Sequence, residues 1–292
     1  MKPAAIDRLV QQTIGDGFAW AVRRLTAAGI DNAQLDARVL LEAAMGRSGG
    51  AILAWREMPM NDDQWQRFST DILRRESHEP VARILGEKEF WGLPFLVDEH
   101  TLVPRPDSEV LIEAALAAFP ERDATARVLD FGTGSGCLLL AVLAERPQFT
   151  GVGVDIAAGA AAVARRNAER LGLAGRAGFA VADWGAPLLG RFELILSNPP
   201  YIPDGDIATL EPEVADFDPR RALAGGAQGL DALTQMAASA IGLLAAEGTL
   251  IVEIGASQAA SAGRCLARAG LAVTGIRHDL GGKERCLIAR LL

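Results

Sequence analysis

The chain has 292 residues, half of them apolar, with a net charge of −8 and a pI near 5.1. That is enough apolar side chain for one large domain or two, and the acidic balance argues against a life on nucleic-acid phosphates. Three cysteines (Cys137, Cys265, Cys286) and three histidines (His78, His100, His278) are scattered without ligand spacing, which argues against a disulfide framework or a metal site and fits a reducing compartment. No apolar run reaches membrane-spanning length, so a cytoplasmic protein without membrane contact is expected.

Residues 1–85 hold 11 basic and 11 acidic residues, so the whole charge excess lies in 86–292. Apolar residues over 4–84 recur at helical spacing: Leu9, Val10, Ile14 and Phe18, then Ala21, Val22 and Leu25, then Leu35, Val39 and Leu40. Asp31 and Asn32 are candidate caps for the last of these runs, Gly46 to Gly50 is a break, and Asn61-Asp62-Asp63 opens a further run through Trp65, Phe68, Ile72 and Leu73. The pattern predicts a small all-α domain over 1–85.

Residues 86–103 are aromatic and β-prone around Gly92 and Pro94, which predicts a β-hairpin linking two domains, with Phe90, Trp91 and Phe95 between them. Pro104 and Pro106 then open a helix through Val110, Leu111, Ala114 and Leu116. From 126 onward strands and helices alternate. Strands are expected over 127–131, 149–155, 177–182, 192–197, 249–254, 272–276 and 284–291, and helices over 136–145, 157–171, 229–245 and 257–269. This rhythm predicts a doubly wound α/β domain over 104–292, a seven-stranded, mostly parallel sheet with its ligand at the carboxyl ends of the strands. The loop before 284–291 is short, so that last strand is antiparallel.

Four strand ends carry chemistry. The first leads into Gly132-Thr133-Gly134-Ser135-Gly136, a loop that lets a ligand approach backbone and N–H groups closely. By itself it reads equally as a dinucleotide fingerprint or a tight turn. The second ends at Asp155, suited to two ribose hydroxyls or to capping a helix. The third ends at Asp183-Trp184, an acid for an adenine amino group and an indole for its face, or a core packing residue. The fourth ends at Asn198-Pro199-Pro200-Tyr201. Proline lacks an N–H and fixes φ, so this turn is stiff and leaves the Asn198 amide and nearby carbonyls as acceptors for a planar –NH2 group. The order of the four is not that of a nicotinamide enzyme.

That ordered set resembles a class I S-adenosylmethionine-dependent methyltransferase of the amino-methylating type. Pro104-Arg105-Pro106-Asp107-Ser108-Glu109, Glu89-Phe90-Trp91-Gly92-Leu93, Phe217-Asp218-Pro219-Arg220 and Asp279-Leu280-Gly281-Gly282-Lys283 narrow the likeness to the release-factor glutamine methyltransferases, the HemK/PrmC family. The resemblance implies methyl transfer from S-adenosyl-L-methionine to the side-chain amide nitrogen of a glutamine in the Gly-Gly-Gln loop of bacterial class 1 release factors. It implies that Gly132 to Gly136 bind the donor's methionine end, Asp155 its ribose, and Asp183 and Trp184 its adenine. It implies that Asn198 and the Pro199 carbonyl hold the substrate amide beside Pro200, with Tyr201 packed on the amide plane, and that residues 1–85 recognise the substrate. Arg105 and Glu109 fall near the rim or form a helix-start ion pair, and Glu211 to Asp218 is expected to be a mobile acidic loop. Two rivals share the core: a ribosomal-protein glutamine methyltransferase, and an adenine-N6 or cytosine-N4 nucleic-acid methyltransferase, which needs a basic region absent here. A non-catalytic donor-binding scaffold predicts a degenerate Asn-Pro-Pro-Tyr, and this one is whole.

Overall fold

The computed structural model describes residues 13–46, 54–186 and 188–292. The chain divides into two compact units, Met1–Leu85 and Gly86–Leu292. In the first, helices α1 (Ile14–Ala27), α2 (Ala33–Met45), α3 (Asp62–Glu76) and the short α4 (Val81–Leu85) enclose their own core. Thr13 with Asp16, and Asn61 with Gln64, form reciprocal capping boxes at α1 and α3. Asn32 stands at the N-cap of α2 but makes no side-chain cap bond. The buried stripe of α2 is Ala33, Ala37, Leu40, Leu41 and Ala44, whereas Leu35 is 48% exposed. Small alanines, one turn apart, pack closer than the leucine expected there. A buried Arg75 bonds Asp36 at 2.7 Å and ties α3 to α2. Leu9, Val10 and most of the Gly46–Gly50 break lie outside the described residues.

The second unit begins with a hairpin, β1 (Glu87–Phe90) and β2 (Leu93–Leu96). The seven-stranded sheet follows: β3 (Arg127–Phe131), β4 (Thr150–Asp155), β5 (Ala177–Val181), β6 (Phe192–Ser197), β7 (Leu244–Glu253), β8 (Leu271–His278) and β9 (Glu284–Leu291). Its helices are α5 (Glu109–Ala118), α6 (Cys137–Glu145), α7 (Ala158–Arg170), α8 (Pro212–Ala215), α9 (Arg220–Leu223), α10 (Asp231–Leu243) and α11 (Ala259–Arg268). Strand order is β5-β4-β3-β6-β7-β9-β8. The first five are parallel, and β9 is antiparallel to both β7 and β8. The last strand is antiparallel as expected, yet it slots between its neighbours instead of ending the sheet. β7 starts at Leu244, directly after α10 and five residues before the expected Thr249.

Strand side chains alternate between two covered faces. Val128, Leu194, Leu196 and Ile251 join the core under α5 and α6, while Leu129, Phe131, Ile195 and Val252 join that under α10 and α11. Phe90 and Phe95 are fully buried in the first of these cores with Leu111, Leu139 and Phe149, so these hairpin aromatics pack within this unit. Asn167 of α7, also fully buried, pins β2 by accepting the Leu96 N–H at 2.8 Å and donating to its carbonyl at 3.1 Å. The strand order reverses at β3 and β6, which opens a crevice at their carboxyl ends. No helix among the described residues is long and apolar enough to cross a membrane.

Candidate active site

The loop after β3 has three glycines with positive φ, 66° at Gly132, 55° at Gly134 and 82° at Gly136. A Cβ on Gly132 would meet nothing within 4 Å, so its missing side chain leaves room in the crevice. A Cβ on Gly136 would come within 3.1 Å of Ala164 and 3.2 Å of Leu140. The missing side chain of the third glycine thus serves the packing of α6 against α7. Thr133 Oγ1 donates to Asp130 Oδ2 at 2.6 Å, and Asp155 braces the loop by accepting the N–H of Gly134 at 3.0 Å and of Ala157 at 2.8 Å. Burial pushes the Asp130 carboxyl up to about 7, against the hydrogen bond from Thr133.

A cavity of about 580 Å³ gathers Gly132, Thr133, Gly134, Ser135, Asp155, Asp183, Trp184, Asn198 and Pro200. Its volume is ample for a nucleoside-sized ligand. Asp183 is exposed beside Trp184, whose backbone takes a φ of 48°. The indole stands edge-on to Phe131 and donates to Gln235 Oε1 at 3.2 Å. Ile156 also lines the cavity, 60% exposed, an apolar surface next to a carboxylate that the sequence reading did not single out. An uncovered glycine loop, an acid at a strand end and two apolar side chains together fit an adenosine carrying an amino-acid tail.

At the end of β6 the Asn198 Nδ2 donates to Ser108 Oγ at 3.2 Å. Its Oδ1 takes no hydrogen bond among the described residues. Ser108, buried at the start of α5, donates to Glu253 Oε2 at 2.5 Å, and the Tyr201 hydroxyl donates to Glu253 Oε1 at 3.2 Å. Burial raises the Glu253 carboxyl to about 7, opposed by Ser108, the Arg285 charge and Tyr201. Burial also pushes up the Tyr201 phenol, and the Glu253 charge adds to it. Pro199 and Tyr201 do not line the cavity. The Tyr201 side chain is anchored at its hydroxyl end by Glu253.

The rest of the corner is clamped from behind. Gln258 Nε2 donates to the Tyr201 carbonyl at 2.9 Å, and a Cβ on Gly225 would meet the Pro200 carbonyl at 2.7 Å. The expected loop 211–218 includes the short helix α8, and its end is anchored: Asp218, with a fully covered side chain, accepts from Arg105 Nη2 at 2.5 Å and from the Val103 N–H at 3.3 Å. Arg105 therefore pairs with Asp218, while Glu109 takes the Trp91 N–H at 3.0 Å, so these two do not pair with each other at the helix start. Sequence reasoning missed Ser108, Glu253, Asp218 and Gln258 as parts of this assembly. A lone carboxylate at the end of the apolar strand 249–254 was the available signal for Glu253.

Family models match in two places, "PrmC N-terminal domain" over residues 17–86 and "Methyltransferase small domain" over 107–211. The release factor glutamine methyltransferase of Rhodospirillum rubrum is 50% identical over 282 residues, 97% of this chain and 85% of that protein. The chain belongs to the release factor glutamine methyltransferase family. A further family member, from Bradyrhizobium diazoefficiens, is 43% identical over 293 residues, 99% of each chain. A solved structure of protein-(glutamine-N5) methyltransferase (release factor-specific) from Alicyclobacillus acidocaldarius is 29% identical. It aligns over 65% of this chain and 95% of that one with a TM-score of 0.39. The family agrees with the expected methyltransferase fold and with an enzyme that transfers methyl groups.

Proposed function

We propose that this family member methylates the side-chain amide nitrogen of the glutamine in the Gly-Gly-Gln loop of bacterial class 1 peptide-chain release factors, in the cytoplasm, with S-adenosyl-L-methionine as donor. One observation carries the reading: Asn198, whose Oδ1 takes no hydrogen bond among the described residues, and the glycine loop line the same cavity. Gly132 to Ser135, Asp155, Asp183 and Trp184 hold the donor, which supplies a methyl group on a positively charged sulfur. The acceptor nitrogen is a weak nucleophile because its lone pair is shared with a carbonyl, so positioning does most of the work. Asn198 Oδ1 accepts an amide hydrogen, with Pro199 and Pro200 stiffening the turn that holds it. As the sulfur–methyl bond breaks and the nitrogen–methyl bond forms, positive charge passes to nitrogen, this fixed oxygen stabilises it without reorganising, and one amide proton then leaves to solvent. Tyr201, anchored through its hydroxyl on Glu253, closes the turn.

A nucleic-acid acceptor is disfavoured by charge. Asp204 and Arg221 line the cavity, and Asp206, Glu211 and Asp216 outnumber Arg220 among the other exposed charges on the segment that follows the Asn-Pro-Pro-Tyr turn. Such a rim repels phosphates and suits a basic protein surface. Residues 1–85 are read as the substrate-recognition domain, and 104–292 as the catalytic domain, joined through 86–103. Incubation with labelled donor and a panel of release factors, ribosomal protein and DNA tests the assignment. Label on a release factor is expected, and it disappears when the Gly-Gly-Gln glutamine becomes alanine. Label confined to DNA or ribosomal protein contradicts it.

A further inference from the structure

An amide side chain presents either oxygen or –NH2 to a given direction, and the hydrogen-bond network decides which. Asn198 meets Ser108, 3% exposed, at 3.2 Å. Ser108 in turn meets Glu253, 2% exposed, at 2.5 Å. A serine hydroxyl has one hydrogen. When that hydrogen is committed to an ionised carboxylate, the oxygen facing Asn198 can only accept. Asn198 must then turn its –NH2 toward Ser108 and its oxygen toward the cavity. We infer that Ser108 and Glu253 are positioning residues that, without touching the substrate, select the orientation of the Asn198 amide that receives the acceptor's N–H groups. The inference rests on the glutamine reading above and deepens it.

The device has an electrical condition. If Glu253 carries a proton, it can donate to Ser108, and the serine hydrogen is released to bond Asn198 Oδ1. The amide then flips and offers –NH2 to the –NH2 of the substrate, two donors face to face. Glu253 must therefore be ionised in the working state. The groups facing it are the hydroxyls of Tyr201 and Ser108, the Arg285 guanidinium, the Asp107 carboxylate and the thiols of Cys137 and Cys286. Both thiols are pushed up to about 12 by burial and stay neutral. Arg285 favours the ionised form, but it is shared with Asp107 at 3.1 Å and Asp279 at 3.0 Å. Burial outweighs these partners and leaves the carboxyl titrating near neutrality. The rate of transfer should accordingly fall as pH drops through about 7.

The test measures single-turnover methyl transfer to a release factor between about pH 6 and 9, with donor affinity by calorimetry, for wild type, Ser108→Ala, Ser108→Thr and Glu253→Gln. Ser108→Ala is expected to slow transfer roughly 10- to 100-fold at unchanged donor affinity, and Ser108→Thr, which keeps the hydroxyl, to restore most of it. Glu253→Gln is expected to abolish the acid-side fall. A wild-type rate in Ser108→Ala, or an unaltered pH profile in Glu253→Gln, overturns the inference. Should Ser108→Ala fail to fold, the two profiles of wild type and Glu253→Gln decide alone. A wild-type protein that leaves the release factor unlabelled overturns the acceptor assignment and this inference together, whereas an active wild type with unaffected variants overturns this inference only.

Discussion

At the scale of single residues, methyl transfer depends on Asn198. Its –NH2 is already spent on Ser108, so its oxygen is the part left for an acceptor amide. Replacing it with alanine removes an oxygen that matters most as charge develops on nitrogen. Asn198→Ala is expected to lower single-turnover rate roughly 10²- to 10³-fold, the cost of one preorganised polar partner, while calorimetry finds donor affinity nearly unchanged. Comparable losses in both would assign Asn198 to donor binding. Asn198, Asp155 and the glycines were legible in the sequence because each ends a strand recognisable by its apolar run. Ser108 and Glu253 were not, because they lie 145 positions apart and their hydrogen bond exists only once β7 and the start of α5 meet. The same cause hid the hydrogen bond from Tyr201 to Glu253.

At the scale of elements, the segment between β6 and α10 is a strap, not a free loop. Asp218 holds it by a charge-assisted bond to Arg105 and a bond to the buried Val103 N–H. Asp218→Ala leaves that N–H unpaired, which costs on the order of 1–3 kcal/mol. The expected outcome is a lower denaturation midpoint and faster limited proteolysis within 203–220. Proteolysis at the wild-type rate would show that the strap is held elsewhere. The Gly225 backbone lies against the Pro200 carbonyl, so Gly225→Ala must displace the Asn-Pro-Pro-Tyr turn. It is expected to reduce transfer rate and stability together, the latter by about 1–3 kcal/mol as for other overpacked sites. An unchanged rate and midpoint would show that the turn yields without consequence. Charge counting along 211–218 suggested a mobile acidic loop because it treats all carboxylates alike. Asp218 differs from Asp216 only in what the fold brings to it.

At the scale of the whole molecule, function and stability pull in opposite directions at Glu253. Its carboxyl ordinarily titrates near 4.5, and burial lifts it to about 7 in the folded chain. A raised carboxyl means that the native state holds its proton longer than the unfolded state does. Its contribution to stability is therefore complete below about pH 4.5 and lost as pH rises through about 7. The loss is on the order of 3 kcal/mol. Glu253→Gln should flatten that part of the urea-unfolding stability profile relative to wild type, and an identical profile would remove Glu253 as its source. Catalysis, on the other hand, needs the ionised form. The alternating pattern of the sheet and its antiparallel last strand were readable from strand spacing and loop length. The insertion of β9 between β7 and β8 was not, because a short loop requires an antiparallel neighbour without saying what lies on its other side. The hairpin aromatics were likewise visible as apolar, but their burial under α5 and α6 depends on Asn167, far along the chain.

The most direct test is tandem mass spectrometry of a release factor after incubation with the protein and S-adenosylmethionine. The expected product carries one added methyl group, on the amide nitrogen of the Gly-Gly-Gln glutamine, and that group is absent when Asn198→Ala replaces the wild type. A methyl group on any other atom, or an undiminished yield from Asn198→Ala, would contradict it.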